Sequence, residues 1–433
     1  MITPKRPSGF NEFLPADQIA FNAMISAIRS AYEKHGYSPI ETPAIELASV
    51  LLAKEGGETA KQVYRFTKGD NDLALRFDLT IPLARYVAEH YHDLAIPFRR
   101  YQIQEVWRAE KTQAGRFRQF YQCDIDIIGS KNILADADVL LTANEAFQGL
   151  GLKDAVFTIS HRGILGGFLA SKKLSDFTSA VLRAVDKLNK QGEKAVSEEL
   201  TEAGLKINDI KEILALVKMN GSAKEVLQQL NKFSIEQTDF KQAIADLTEV
   251  NQLLLAGGLK AKDFIFDCKI ARGFDYYTGL VFETTLTKNP EIGSICSGGR
   301  YDNLVGYYSK ENLAGVGISI GLSRLFSVIK DRLVKGAASP AQAMIIPFSK
   351  EVTDYCLNVA AILNQAKINT FVYPDITKAG KQLSYVDKLK IPLAILIGED
   401  EVKKKSVTIK NMQSGKQVTV TVNKAAAQIK KML

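Results

Sequence analysis

The sequence predicts an α+β fold of roughly three domains, since its 433 residues allow about 150 residues for each. Strand-like and helix-like segments are mixed over most of the chain. Residues 172–255 have the pattern of helices alone, and residues 343–433 alternate strands and helices in a compact order. A hydrophobic fraction of 46% and a charged fraction of 24% are ordinary globular values, which exclude a disordered or fibrous chain.

The first part of the chain begins with a helix and continues into extended segments. Apolar residues recur at helical spacing over 16–35, which predicts a helix. Pro39 and Pro43 exclude a helix interior from the following segment. Residues 72–79 alternate between apolar and polar and predict a strand, after which a helix begins at Thr80.

A hairpin with a long basic loop is predicted next, because two β-rich runs over 98–108 and 117–129 enclose a polar segment that contains glycine. The elements that follow in this part are a helix over 132–150, a strand passing into a loop over 155–165, strands over 263–286, a loop that holds SGGRYDNL (297–304), and a strand passing into a helix over 314–329.

Changes in composition mark the domain boundaries. Residues 172–255 contain almost no aromatic residues and repeat apolar positions at helical spacing, so they predict a helical insertion domain. The segment KGAASPAQ, which precedes position 343, has the composition of a linker. The predicted division is one domain over 1–171 and 256–332, the insertion domain over 172–255, a linker over 333–342 and a C-terminal domain over 343–433.

The positive charge is concentrated in two segments. Of the formal charge of +8, the segment 99–118 contributes +4 and the segment 399–433 contributes +5, so the rest of the chain is nearly neutral. Two basic segments on a near-neutral body suit contact with an extended polyanion such as a nucleic acid. A lysine-rich solvated surface is the alternative.

The apolar runs and the cysteines indicate the cellular compartment of the protein. The longest apolar runs fall short of a membrane span, and residues 1–10 lack the apolar region of a secretory signal. The four cysteines are scattered, with no C-x-x-C pair and no histidine nearby. This pattern argues against a disulfide framework and against a zinc site. We therefore expect a cytoplasmic protein with no membrane contact and no zinc.

The hairpin segment WRAEKTQAGRFRQFYQ (107–122) is the first candidate for chemistry. Arg108, Arg116 and Arg118 flank its loop, and a guanidinium group offers a planar fork to phosphate oxygens. Glu110 lies between them and suits a base edge or a metal ion. The pattern favours a triphosphate ligand, with a charged hairpin tip as the alternative.

Three polar residues on predicted strands form the second candidate. Asp78, Gln122 and Asp126 occupy positions from which their side chains can point inward. Buried carboxylates require partners, and a ligand ammonium or an imidazole N–H would serve. An internal ion pair with an arginine is the alternative.

Glycine-containing segments form the remaining candidates. In IARGFDYYTGLVFE (270–283), Gly273 and Gly279 allow the close approach of backbone or ligand. The GG pair of GGRYDNL requires close packing or unusual dihedrals, with a plain turn as the alternative. In GVGISIGLSRL (315–325), small residues keep one strand face flat enough to receive an adenine ring, and Arg324 follows. The chain contains neither a Walker loop nor a dinucleotide-binding fingerprint.

In their order and spacing, these segments resemble class II aminoacyl-tRNA synthetases, and within them the histidyl-tRNA synthetase family. GYSPIETP resembles motif 1, VWRAEKTQAGRFRQFYQCDIDIIG resembles motif 2 and GVGISIGLSRL resembles motif 3. ARGFDYYTGLVFE and GGRYDNL resemble segments specific to the histidine enzymes. The resemblance covers nearly the whole chain. It implies an antiparallel-sheet catalytic domain, the helical insert and a C-terminal α/β anticodon-binding domain.

The same resemblance implies an activity and partners. The enzyme would ligate histidine to tRNA(His) through a histidyl-adenylate, with ATP as the second substrate and Mg²⁺ as cofactor. Motif 1 would build a homodimer. The attack of a carboxylate on an α-phosphate brings two anions together, so the barrier falls through positioning and fixed positive charge.

The resemblance also implies roles for individual residues, with no metal ligands of the protein's own. Arg272 and Arg108 would be the catalytic arginines at the α-phosphate. The histidine site would comprise Asp78, Thr80, Arg108, Gln122, Asp126, Arg272, Tyr276 and Tyr277, with Asp126 and Tyr277 at the imidazole nitrogens. The ATP site would comprise Arg108, Glu110, Arg116 and Arg324, and the acceptor end of the tRNA would meet Gln113 and Arg118.

The sequence departs from the family pattern at three positions. Ser323 stands where motif 3 usually has an acidic residue, and Asp78 and Asp126 stand where bacterial members often have glutamate. Two other functions remain open. One is a non-catalytic, histidine-sensing synthetase paralogue of the regulatory-subunit type, which lacks the C-terminal domain and loses the arginines. The other is a class II synthetase for proline, threonine or glycine.

Overall fold

The computed structural model describes residues 2–53, 61–111, 113, 115–269, 277–333 and 338–433. Contacts divide the chain into two compact units, one of Met1–Asn11 with Met24–Val328 and one of Glu12–Ala23 with Ile329–Leu433. The helical segment 172–255 falls within the first of these units. The domain boundaries predicted from the sequence stay a prediction.

Both units contain strands and helices. The strands of the described residues are β1 Ser38–Pro39, β2 Ile45–Leu47, β3 Arg65–Lys68, β4 Asn71–Leu75, β5 Phe98–Trp107, β6 Gln119–Ile128, β7 Ala155–His161, β8 Asn220–Gly221, β9 Phe264–Asp267, β10 Leu280–Leu286, β11 Cys296–Tyr301, β12 Gly315–Gly321, β13 Ala343–Pro347, β14 Thr370–Val372, β15 Leu393–Ile397, β16 Ser406–Asn411 and β17 Gln417–Thr421. The helices are α1 Pro15–Lys34, α2 Ala48–Leu51, α3 Thr80–Glu89, α4 Ile133–Gly149, α5 Arg162–Ser171, α6 Thr178–Asp186, α7 Leu188–Glu202, α8 Ile207–Val217, α9 Ala223–Leu230, α10 Thr238–Ala256, α11 Leu322–Leu333, α12 Thr353–Gln365, α13 Ala379–Lys388, α14 Glu399–Lys403 and α15 Val422–Met432.

The first unit is built on a mixed sheet whose centre is antiparallel. Over the described ranges its strand order is β1-β5-β6-β12-β11-β10-β7-β9-β8. Every neighbouring pair from β5 to β7 is antiparallel, whereas β1 pairs with β5, and β7 with β9, in parallel. The α+β prediction with a largely antiparallel catalytic sheet is confirmed.

Most predicted elements of this unit are present with small shifts at their ends. The helix predicted over 16–35 is α1, and the hairpin predicted over 98–108 and 117–129 is β5–β6. Residues 172–255 are mostly helical, as their apolar spacing predicts, with the short strand β8 among the helices. A short sheet of order β2-β4-β3 was not predicted as a whole, because β3 is four residues long, exposed and mostly polar.

Two segments predicted as loops are regular structure. The residues after His161 form α5, because the His161 ring accepts a hydrogen bond from the Gly163 amide (2.9 Å) and so caps the first turn. The glycine pair of GGRYDNL lies inside β11, not in a loop. A Cβ at Gly298 would lie 2.1 Å from the carbonyl oxygen of Gly317 on β12. Close packing between two strands therefore explains the pair.

We expect Gly298→Ala to destabilise the first unit by about 3 kcal/mol or more, because the new methyl group would overlap backbone atoms that cannot rotate away. The measurement is the thermal unfolding midpoint. The matched control is Gly306→Ala, since a Cβ there would have no atom within 4 Å. Equal midpoints for the two variants would contradict the close-packing explanation.

The second unit contains the predicted C-terminal α/β module. Its sheet has the order β14-β13-β15-β16-β17 among the described strands. The first three strands are parallel, and β16 and β17 form the predicted hairpin at the antiparallel end. Gly415 adopts φ +70° in its turn, a conformation that favours glycine. The short helix α14 was not predicted from the sequence.

Much of the charge of the basic segment 99–118 is internal. Arg99 pairs with Asp138 at 2.8 Å, and the fully buried Arg100 lies 2.6 Å from Asp126. Two of the six basic residues of this segment are therefore paired with carboxylates of the first unit. None of the described helices combines the length and the apolar character that crossing a bilayer requires.

Candidate active site

The floor of the main cavity is one face of the central sheet. Gln122, Asp124 and Asp126 alternate along β6, so their side chains share that face. Their cross-strand partners on β12 are Gly321, Ser319 and Gly317, and their partners on β5 are Gln104, Gln102 and Arg100. The alternation of small residues in GVGISIG thus leaves room above a row of polar side chains on β6.

Gly317 shows how tightly this floor is built. A Cβ at this position would lie 1.9 Å from Oδ1 of Asp126 and 2.8 Å from the carbonyl oxygen of Ile125. Glycine is therefore required for the Asp126 carboxylate to occupy its place.

The cavity above this floor has a volume of about 180 Å³ and brings together most of the predicted site residues. Those that line it are Asp78, Thr80, Arg108, Glu110, Arg116, Gln122, Asp126, Tyr277 and Arg324. Gln113 and Arg118 do not line it, and their prediction as tRNA contacts stays a prediction. Arg272 and Tyr276 lie outside the described residues.

Three arginines converge at one end of the cavity. Arg108 donates from Nε to the carbonyl oxygen of Phe77 (2.9 Å), and Arg324 donates to the carbonyl oxygens of Gly115 (3.1 Å) and Ser294 (2.7 Å). Burial lowers the pKa of Arg324, and the positive charges of Arg116 and Arg108 lower it further. Three guanidinium groups close enough to repel one another electrostatically form a site for an anion.

Carboxylates dominate the other end. Asp126 is buried, accepts a hydrogen bond from the Tyr301 hydroxyl (2.5 Å), and forms an ion pair with Arg100. Burial raises the pKa of Asp126, and the positive charge of Arg100 opposes that rise. The alternative of an internal ion pair, considered for this residue from the sequence, is therefore what the structure shows for Asp126.

Asp78 and Asp124 are also buried. The Ile81 amide donates to Oδ1 of Asp78 (3.1 Å), while Oδ2 of Asp78, Oδ1 of Asp124 and Oδ2 of Asp126 have no hydrogen-bond partner among the described residues. Burial raises the pKa of Asp78 to about 6 and the pKa of Asp124 to about 7. Two such carboxylates in one cavity can accept N–H groups of a cationic ligand.

Sequence reasoning missed Asp124, although the signal was present. Asp124 lies midway between Gln122 and Asp126, and a period of two places all three on one face of a strand. Ser323, the departure from motif 3, does not line the cavity; its hydroxyl oxygen accepts a hydrogen bond from the Tyr121 amide (2.9 Å). In this chain the residue therefore supports β6.

Comparison with known proteins decides the family. Residues 9–325 match the family described as histidyl-tRNA synthetase, and residues 342–432 match the anticodon binding domain. A protein of Clostridium tetani named histidine–tRNA ligase is 46% identical over 435 residues, which is 99% of either chain. The chain belongs to the histidyl-tRNA synthetase family.

Further similarities support the same family over the whole chain. A histidine–tRNA ligase of Xanthomonas oryzae pv. oryzae is 43% identical over 459 residues and covers 99% of this chain and 98% of its own. The crystal structure of histidyl-tRNA synthetase from Nostoc sp. PCC 7120 superimposes with a TM-score of 0.90 at 37% identity, and covers all of both chains. The histidyl-tRNA synthetase fold, with its C-terminal anticodon-binding domain, is thus confirmed.

Proposed function

We propose that this member of the histidyl-tRNA synthetase family forms histidyl-adenylate from histidine and ATP and transfers the histidyl group to tRNA(His). The observation that carries the proposal is a single cavity with three guanidinium groups at one end and incompletely partnered carboxylates at the other. The arginine end suits the phosphates of ATP. The carboxylate end suits an amino acid with an ammonium group and an N–H on its side chain.

The geometry supports a reaction driven by positioning. Arg108 holds the α-phosphate and the histidine carboxylate, and Arg116 and Arg324 hold the rest of the triphosphate. The carboxylate of histidine is ionised at neutral pH, so its attack on the α-phosphorus needs no general base. The bond between the α-phosphorus and the α,β-bridging oxygen breaks as the acyl–phosphate bond forms, and the β- and γ-phosphates leave as pyrophosphate. Arginines already bound to backbone carbonyls supply fixed charge to that transition state.

The amino acid lies along the polar row of β6. Asp78, Thr80 and Gln122 receive its ammonium and carboxylate groups. Its imidazole lies at the Asp126 and Tyr277 end, as the family resemblance predicts. Arg272 and Tyr276 belong to the same site in this proposal, and their roles stay predictions.

Class II synthetases use ATP together with Mg²⁺, and the donor set here fits that use. Glu110 lines the cavity, with Oε2 lying 3.6 Å from the Arg116 guanidinium. Mg²⁺ that arrives with a nucleotide needs only one or two protein carboxylates, because phosphate and water oxygens complete its shell. Glu110 would hold it, and the ion would neutralise phosphate charge. The absence of zinc stays a prediction.

The tRNA is contacted by two regions in this proposal. Gln113 and Arg118 of the hairpin loop meet the acceptor end, and the basic C-terminal segment 399–433 lies in the domain that matches an anticodon binding domain. The same match argues against the histidine-sensing regulatory alternative, because such paralogues lack this domain. The three arginines in the cavity argue against it as well.

We also propose a cytoplasmic homodimer. The small sheet that follows motif 1 exposes apolar side chains, with Ile45 47%, Leu47 49% and Phe66 39% accessible. An exposed apolar cluster of this kind marks a protein contact. All four cysteines are buried free thiols, which suits a reducing compartment.

We expect Leu47→Asp to convert the dimer into a monomer, because the variant places a charge in the proposed contact. The measurement is the molar mass in solution by light scattering at several protein concentrations. Leu357→Asp is the matched control, because Leu357 is a similarly exposed leucine on α12 of the other unit. A monomeric mass for the unaltered chain, or a dimer in the Leu47→Asp variant, would contradict this assignment.

ATP–pyrophosphate exchange with each amino acid separately tests the proposed function most directly. We expect exchange with histidine alone, followed by charging of tRNA(His) transcripts. Exchange with proline, threonine or glycine would indicate another class II specificity. Histidine binding without exchange would indicate the regulatory-subunit class.

Arg272→Ala should separate binding from chemistry. Because Arg272 is predicted to lie at the α-phosphate opposite the attacking carboxylate, we expect histidine binding to survive while exchange falls by about 10²-fold or more. Calorimetric histidine titration and the exchange rate measure the two effects. Equal losses of binding and exchange would show that the predicted role is wrong.

A further inference from the structure

The start of β10 is joined to the end of β11 by side chains as well as by the strand ladder. In the register of these two strands Val281 pairs with Gly299. Continued by three residues, the same register places Thr278 opposite Asp302. The Thr278 amide donates to the carbonyl oxygen of Arg300 (2.8 Å), and the Thr278 hydroxyl donates to Oδ2 of Asp302 (2.6 Å). A cross-strand pair of side chains therefore closes this end of the two strands.

Arg300 makes this end of the sheet a fixed point. Its buried guanidinium donates from Nε to the Asp136 carboxylate (3.1 Å) and from Nη1 to the carbonyl oxygen of Ser130 (2.8 Å). Its side chain also lies against Gly279, where a Cβ would be 3.0 Å from Cδ of Arg300. Oδ1 of Asp302 lies 3.8 Å from the same guanidinium and has no hydrogen-bond partner among the described residues. Thr278 and Asp302 are thus attached to a part of the sheet that a buried ion pair holds in place.

Tyr277 precedes Thr278 and points the other way. Tyr277 lines the main cavity, whereas Thr278 is exposed, and neither Thr278 nor Asp302 lines that cavity. The Tyr277 ring lies against the backbone of β11, because a Cβ at Gly299 would be 2.9 Å from its Cδ1. A shift of one residue would exchange the two directions and turn the tyrosine away from the cavity. The bond between Thr278 and Asp302 opposes such a shift.

We infer that Thr278 and Asp302 form a positioning pair, which holds the Tyr277 side chain in the cavity and so strengthens histidine binding. This inference rests on the proposed function, in which Tyr277 contacts the imidazole. The pair itself touches no ligand and acts through the tyrosine. A side chain that is already fixed bears less of the ordering cost when the ligand binds. Loss of the pair should therefore weaken histidine binding and leave the reaction at the α-phosphate unaltered.

Steady-state ATP–pyrophosphate exchange tests this role with Asp302→Ala and Thr278→Val. We expect the KM for histidine to rise about 3- to 10-fold, the range of one hydrogen bond, while kcat and the KM for ATP stay unchanged. Asp302→Asn keeps an acceptor and Thr278→Ser keeps the hydroxyl, so both should restore the KM of the unaltered chain. Glu225→Ala is the matched control, because it removes another exposed hydroxyl–carboxylate pair, with Ser222 (2.7 Å), from the helical segment. It should change neither constant, and its thermal midpoint should equal that of Asp302→Ala.

A double-variant cycle shows whether the pair acts through the tyrosine. In a Tyr277→Phe background, where the hydroxyl that the pair positions is absent, we expect Asp302→Ala to change the KM for histidine by less than about twofold. Independent effects of the two substitutions would overturn the inference. So would an unchanged KM for histidine in Asp302→Ala, or equal rises in the constants for histidine and ATP. Absence of exchange with histidine in the unaltered chain would instead overturn the proposed function, and the inference with it.

Discussion

Arg108→Ala is expected to reduce ATP–pyrophosphate exchange with histidine by about 10²- to 10³-fold, because it removes preorganised charge from the position where the phosphate charge develops. Arg108 is one of the three arginines at the arginine end of the cavity. Its Nε is bound to the Phe77 carbonyl oxygen, and its guanidinium carbon lies 5.1 Å from the centre of the Phe120 ring. The fork is therefore oriented before ATP arrives.

Two controls sharpen this experiment. Arg108→Lys keeps the charge but loses the planar fork, so we expect it to recover only part of the activity. Arg183→Ala removes an exposed arginine from the helical segment and should leave exchange unchanged. An Arg108→Ala enzyme that exchanges as fast as the Arg183→Ala enzyme would show that the arginine end does not hold the nucleotide.

Asp126→Asn is expected to lower the free energy of unfolding of the first unit by about 3–5 kcal/mol, because it leaves the charge of a fully buried arginine without its partner. Arginine cannot lose its proton at any accessible pH, so this cost is not relieved by titration. Urea denaturation measures the loss. Asp72→Asn is the matched control, because Asp72 pairs with Arg65 on the surface, where such a pair contributes at most about 1 kcal/mol.

The reverse change, Arg100→Met, is expected to lower the free energy of unfolding by an amount that depends on pH. Burial raises the pKa values of Asp78, Asp124 and Asp126 above the ordinary 3.8, and the charge of Arg100 limits each rise. A carboxyl group whose pKa is raised by folding takes up a proton in the folded state, so stability falls as the pH rises from about 4 to about 7. Without the charge of Arg100 the pKa values of these carboxyl groups in the folded state rise further, so the loss of stability with rising pH becomes larger. We therefore expect Arg100→Met to unfold more easily at pH 8 than at pH 5; equal losses at both values would contradict this account.

The sequence predicted the elements with regular periodicity and most of the charged residues that line the cavity, but not Asp124. It could not show pairings between distant strands. The hairpin β5–β6 is local and was predicted correctly. The segment of β11 was predicted as a loop, because its glycine pair is explained only by close packing against the backbone of β12, which is distant in the sequence. Arg300 of GGRYDNL is an instructive case. Its guanidinium donates to the Asp136 carboxylate and to the Ser130 carbonyl oxygen (2.8 Å), so it anchors the start of α4.

The candidate site shows the same limit. The clustering of arginines around one loop indicated a phosphate ligand from residue types alone, and the cavity brings Arg108, Arg116 and Arg324 together. Which carboxylate is available to a ligand depends on partners far away in the sequence. Arg100 and Tyr301 come from different segments, and only the folded sheet shows that they meet Asp126.

The backbone contacts of Arg324 have an entropic consequence. Its guanidinium bonds at once to the loop of the β5–β6 hairpin, through Gly115, and to the segment before β11, through Ser294. A long side chain fixed in this way has already lost its rotamer freedom when the protein folds. Nucleotide binding then bears little of that ordering cost. Inhibitors that mimic the adenylate would thus meet a rigid receptor, and cyclising them should improve affinity more than adding flexible polar arms.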